Sequence, residues 1–405
     1  MIRSTLSYPC EMAGTIQEAQ LRFRLTTPPK YLSCDDCMIS EICGGHELPL
    51  MRPFGCIKRV DENERIDPDD MNPNDEERFF ELYDDVGGLH EFEFRPFKTP
   101  LPAVLPEYVT MMQHTGCRVR AAPLEIVALP LFEILRMRKD GTYGPRFRTS
   151  EELRRAYHLR AATKILLVGV DTDPPIERFW REHRRNKVAD ELASLEVVGI
   201  TTPNFSFFTD STGFQRVRNW KRILLSAENF SNAGIPAILH LNAIAETDWD
   251  RWLTFLKAHP EMTVVCKEFQ TGLKAIEAGQ KAYWSLVRLQ ERLGRKLHPI
   301  LVAGGRYYRE AQDDFDSFTI VDSRPFMEAL HRNVLEMLES ERWAWVHKPT
   351  SKRTPIDDYF ERSVSVYPSK LASPEREVIQ VFDDPRQLSM EFLNSKPYFT
   401  SQPAA

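Results

Sequence analysis

The chain carries few marks of a membrane, secreted or fibrous protein. No apolar run approaches the roughly 18 to 20 residues needed to cross a bilayer. The opening MIRSTLSYPCEMAG has no long apolar core of the kind that makes a secretory signal. A cytoplasmic protein without membrane contact is the expectation. Neither a GxGxxG fingerprint nor a P-loop occurs, so nothing points to a nucleotide cofactor. No repeat at a solenoid period is present. Seven cysteines in 405 residues do not make a disulfide scaffold. There is no global excess of basic charge, since the net charge is -6. Any nucleic-acid contact must therefore come from a local basic face.

What is present is ordinary globular composition, 42% hydrophobic and 28% charged. The length suits about two domains or one large barrel with additions. Three regions differ in composition. Residues 1–95 combine five of the seven cysteines with the acidic run DENERIDPDDMNPNDEERFFELYDD. That run reads as a solvated loop and short helix, or as a phosphate mimic lying over a basic groove. Residues 349–405 are polar and rich in proline and serine, which predicts an extended tail; FDDPRQLSMEF within it suits a short docking segment.

Between them, in 96–348, short apolar runs alternate with amphipathic helical stretches. The runs are PLEIVALPLFEIL, KILLVGVD, LEVVGITTPNFSFF, IPAILHLNAI, MTVVCKEFQTG, HPILVAGG, FTIVDSRPF and WAWVHK. Strands apolar on both faces and separated by helices imply βαβ units and a parallel sheet. Eight of them predict an α/β fold, a (β/α)8 TIM-like barrel, with a doubly wound open sheet as the alternative.

Cys34, Cys37, Cys43 and Cys56 form C-x2-C-x5-C-x12-C. Four thiolates this close can surround one centre, either a [4Fe–4S] cluster or a Zn2+ ion. The alternative is four unrelated cysteines. The run C-x2-C-x5-C followed by Gly-Gly is similar to the auxiliary-cluster segments of radical-SAM enzymes, although the C-x3-C-x2-C core motif of those enzymes is absent.

Parallel α/β folds place chemistry at the carboxyl ends of strands. At the ends of six of these runs stand Asp171, Asn204, His240, Asn242, Lys267, Gln270, Gly304, Gly305 and Asp322. Asp171 and Asp322 suit a nucleophile and a general acid or base, tuned apart by their surroundings. The amides, the imidazole and the ammonium suit reading of a base edge, and Gly304-Gly305 permits close backbone approach. Structural roles as helix caps or core polar groups compete for each. Lys267 and Glu268 are strand neighbours, so only one can face the barrel mouth. Arg181, Arg184 and Arg185 crowd one helix, and Arg218, Trp220 and Arg222 another. Arginine beside an aromatic ring suits phosphate contact with base stacking.

Over about 196–332 the chain resembles the second half of the barrel of queuine tRNA-ribosyltransferases and their DNA-modifying 7-deazaguanine relatives. HPILVAGG followed by DDFDSFTIVDSRPF is similar to the family's LMGVG strand followed by FDCVLPTR, which bears the nucleophilic aspartate. VVGITTPNF, IPAILHLN and VVCKEFQTG fall where the family has its base-recognition strands. TDSTGFQ, at 209–215, is similar to the family's TDSGGFQ but stands elsewhere in the chain order. The family's zinc site follows its barrel, whereas this chain has no cysteine after Cys266. Strict register puts the family's nucleophile nearer Thr319 than Asp322. The stretch NFSFFTDSTGFQRVRNW also resembles an uncharacterised family of phage and mobile-element proteins.

The first resemblance implies a transglycosylase-like enzyme acting on a base in DNA or tRNA; the second implies no chemistry, only a setting of nucleic-acid modification or defence in which a protein partner has a place. Two other classes stay open: a non-catalytic metal-binding protein that binds nucleic acid or a partner, and an iron–sulfur redox enzyme.

Overall fold

The computed structural model describes residues 42, 76–89, 94, 95, 97, 105–207, 213–270, 273, 275–351, 353–374 and 378–382. Eight parallel strands form its centre: β1 (Tyr108–Thr110), β2 (Ile126–Pro130), β3 (Lys164–Val168), β4 (Gly199–Thr201), β5 (Ala237–His240), β6 (Val264–Glu268), β7 (His298–Val302) and β8 (Thr319–Asp322). They pair in chain order from β2 to β8, and β8 pairs back onto β1. A bridge between Met111 and Ala128 joins β1 to β2. The sheet is thus a nearly closed, TIM-like barrel.

Strand alternation sorts the side chains. Val109, Leu166, Ile238, Cys266, Ile300 and Val321 fill the barrel axis in one buried cluster. Leu167, Ile200, Leu239, Val265, Leu301 and Ile320 face outward into a second, larger core. Burial on both faces explains why these strands read as continuous apolar runs.

Helices supply the outer layer: α1 (Glu76–Asp85), α2 (Ser150–Ala156), α3 (Asp173–Glu182), α4 (Val188–Ala193), α5 (Gly213–Asn232), α6 (Glu246–Ala258), α7 (Ile276–Leu293), α8 (Tyr308–Asp314), α9 (Arg324–Leu330) and α10 (Asp357–Ala372). Local chemistry sets several ends. The Thr149 hydroxyl accepts the Glu152 N–H at 3.2 Å at the start of α2. Pro174 and Pro175 open α3 where their missing N–H groups cost nothing. Gly294, at φ +65°, ends α7 in the left-handed conformation.

Seven of the eight expected strands occupy barrel positions. WAWVHK does not. It lies in a separate three-stranded sheet of β9 (Asn333–Met337), β10 (Trp343–His347) and β11 (Ile379–Phe382). The barrel strand in its place is β1, which precedes the first expected run. Three residues with one inward side chain, Val109, are too few to show a period.

The expected polar tail is also corrected. Its residues 357–372 form α10, whose Phe360, Ser363, Tyr367 and Leu371 are buried at helical spacing. Polar composition and the internal Pro368, which removes a backbone donor, disguised that face. No helix joins β1 to β2, and α10 covers β1 instead. Tyr367 packs on Tyr108 with ring centroids 5.2 Å apart. Asp357 accepts the N–H groups of Val119 and Arg120 at 3.1 and 3.2 Å and lies 3.4 Å from Arg118 Nε.

Candidate functional site at the carboxyl rim

The inward side chains at the rim come from neighbouring strands. His240 ends β5 and is in register with Cys266 on β6, and Glu268 ends β6 two residues further on. All three are buried. Neither ring nitrogen of His240 has a hydrogen-bond partner among the described residues. Burial, and then the Lys267 charge, hold the imidazole well below its usual value, so it is neutral. Burial pushes the Cys266 thiol up, the reverse of an activated thiolate. Glu268 Oε2 accepts the Gln270 N–H at 2.6 Å.

Lys267 points the other way, as strand alternation requires. It is buried, and its Nζ lies 3.4 Å from Asn242 Oδ1. Asn242 Nδ2 donates to the Phe205 carbonyl at 2.8 Å, and the Asn242 carbonyl accepts Trp252 Nε1 at 2.8 Å. Asn204 Oδ1 accepts the Asp171 N–H at 3.1 Å, while its own N–H donates to Gly169 O at 3.0 Å. Asn204, Asn242 and Lys267 therefore tie the strand-end loops together. Glu268, the carboxylate at the mouth, is the residue that composition alone could not separate from Lys267.

Asp171 and Asp322 are not brought to one place. Asp171 Oδ1 accepts the N–H and hydroxyl of Thr172 at 2.7 and 3.1 Å. Asp322 shares the outward register of Ile320. Its Oδ1 accepts the Arg324 N–H at 2.8 Å, and its Oδ2 accepts the Tyr367 hydroxyl at 2.9 Å. Thr319 is buried at the amino end of β8, where its hydroxyl donates to Pro106 O at 2.9 Å. Gly304 is close-packed, since a Cβ there would come 2.6 Å from Leu301 Cβ. Gly305 borders a cleft of about 230 Å³ between the loops after β7 and β8 and the end of α10, together with Arg306, Arg309, Asp322, Arg324 and Lys370.

The expected basic face divides. Arg181, Arg184 and Arg185 are exposed. Arg218, Trp220 and Arg222 are buried, so they cannot present themselves to nucleic acid as free surface groups. Arg222 pairs with Glu177 through both guanidinium nitrogens, one at 2.9 Å, and lies 4.0 Å from the Phe205 ring centroid. Arg218 donates to Asp85 Oδ2 at 3.0 Å, and Lys221 donates to Gly88 O at 2.6 Å. The described end of the acidic run thus docks on α5 through one carboxylate and main-chain carbonyls.

Cys34, Cys37, Cys43 and Cys56 lie outside the described residues, as do 209–212 of TDSTGFQ. The described residues alone define an α/β barrel with inward His240 and Glu268 at the carboxyl ends of neighbouring strands and a cationic cleft on its rim. No family model and no curated protein matches this chain.

Proposed function

We propose that the protein is a nucleic-acid base-modifying enzyme, acting by base exchange or glycosidic cleavage at the barrel mouth. The observation that carries this reading is His240. A fully buried imidazole with two unpartnered nitrogens is a costly exception to the rule that buried polar groups are bonded. Such exceptions at the carboxyl end of a barrel strand suit ligand recognition. Neutral His240 can donate with one nitrogen and accept with the other, which suits a base edge. Glu268 beside it would move a proton. Asp171 and Asp322 would act from the rim, and the exposed Arg181, Arg184 and Arg185 would meet the phosphate backbone. Cys34, Cys37, Cys43 and Cys56 would hold a [4Fe–4S] cluster or Zn2+.

The test is incorporation of labelled guanine or a 7-deazaguanine into DNA or tRNA, and release of the displaced base. Wild type should exchange base, and His240→Ala and Glu268→Gln should abolish exchange while keeping the unfolding midpoint near wild type. Absence of exchange and release on both nucleic acids would sink the reading.

One observation favours a binding protein without catalysis: both carboxylate oxygens of Asp322 already accept hydrogen bonds. On that reading Asp171→Asn and Asp322→Asn are silent, while serine at the four cysteines abolishes nucleic-acid or partner binding. An anaerobic metal assay separates about four irons from about one zinc. A brown chromophore that bleaches reversibly in turnover would instead mark a redox enzyme.

A further inference from the structure

The charged side chains lining the cleft behind β7 and β8 are mainly cationic. Arg306 reaches it from the turn after β7, Arg309 from the start of α8, Arg324 from the start of α9 and Lys370 from the end of α10. Asp322 is the one carboxylate lining it among the described residues. Its two oxygens are engaged by Tyr367 and the Arg324 N–H, so it is fixed as part of the wall. Arg324 Nε also lies 3.5 Å from Glu328. Lys370 is half-buried; burial and then the Arg324 charge lower its ammonium, and Asp322 offsets this in part. Four cations line about 230 Å³ in which Asp322 is the one lining carboxylate among the described residues, and Arg324 is close to Glu328 outside it.

Position and size narrow the ligand. The loops after strands seven and eight of a parallel barrel are a frequent phosphate site. Guanidinium forks match phosphate oxygens in pairs, and lysine adds a point charge. A cleft smaller than the roughly 300 Å³ at which drug-sized pockets begin takes a phosphoryl group and leaves its substituent outside. At Gly305 a Cβ would lie 3.1 Å from Leu371 Cδ2 and 3.4 Å from Asp322 Oδ2, so a side chain there would crowd the wall.

We propose that this cleft is a phosphate-binding site, with Arg306, Arg309, Arg324 and Lys370 holding a phosphoryl group against the wall formed by Asp322 and Tyr367. The site stands whether or not the mouth exchanges bases. The group it holds belongs either to the backbone of a nucleic acid or to a small phosphorylated molecule.

Calorimetric titration of the full chain with inorganic phosphate at low salt tests it. Wild type should bind saturably. The double variant Arg309→Ala with Lys370→Ala should bind at least tenfold more weakly, with its unfolding midpoint retained. Arg306→Ala, measured separately, should weaken binding in the same direction and guards against misfolding of the double variant. Competition then finds the source. Displacement of phosphate by a single-stranded oligonucleotide without terminal phosphates assigns the backbone; displacement only by a nucleoside monophosphate assigns a small molecule. No saturable binding, or equal binding by wild type and the folded double variant, would overturn the proposal. Phosphate binding without base exchange would leave this site standing and remove the base-modification reading.

Discussion

Two groups of basic residues in this protein, one contiguous on α5 and one that the fold assembles from positions 306 to 370, meet their counter-charges differently. On α5, Arg218, Lys221 and Arg222 are buried against Glu177, Asp85 and main-chain carbonyls. At the rim of β7 and β8, four cations share a solvent-reaching cleft with one bonded carboxylate. The first region uses positive charge as an internal fastener. The second keeps more positive than negative charge in place, which is the electrostatic condition for drawing in an anion. Density of arginine along a chain therefore says little about ligands until the counter-charges are located.

The comparison can be broken most forcefully at Arg222. Arg222→Ala removes a buried guanidinium that pairs with the half-buried Glu177 and packs on the Phe205 ring, and should cost about 3 to 5 kcal/mol, measured by urea unfolding, with phosphate affinity unchanged in the folded fraction. Acid gives the next largest effect. His183, packed between Phe179 and Asn229, is held down to about 4, chiefly by burial and then by Arg184 and Arg222. The unfolded chain binds that proton near 6.5. Stability is therefore complete above about 6.5 and falls as pH drops from there towards 4. Thermal melts of wild type across that range should decline, and His183→Gln should flatten the decline. Asp85→Asn weakens the acceptor of Arg218 and Trp180 and should destabilise by about 1 to 2 kcal/mol. Smallest is Arg309→Ala, a surface change expected to shift stability within about 0.5 kcal/mol while weakening phosphate binding. A large loss of stability there would mean that the cleft, too, is a fastener.

Much of the barrel was legible because a strand buried on both faces leaves a local mark. Seven runs carried it, while β1, with three residues, did not. Strand-end polar residues were also legible as positions, but their roles were not. Lys267 and Glu268 are adjacent, and only the pairing register sends the carboxylate inward and the ammonium outward. The burial of Arg218 depends on Asp85, 133 residues earlier, and that of Arg222 on Glu177, 45 residues away. No local pattern encodes such partners. The helix α10 was missed for a related reason: its buried face is meaningful only beside Tyr108 and Arg118, which lie some 240 to 260 residues before it.

That last helix also governs the order of assembly. The hydrogen bond from Val119 to Asp357 closes a loop of 238 residues. While the chain is being synthesised, β1 through β8 emerge before the helix that covers β1. Until residue 357 and its neighbours follow, Tyr108 and the backbone of Val119 and Arg120 lack their native cover. Such distant closures slow folding, and uncovered apolar surface in the interval exposes a chain to aggregation. The barrel is thus sealed by chain made after its last strand.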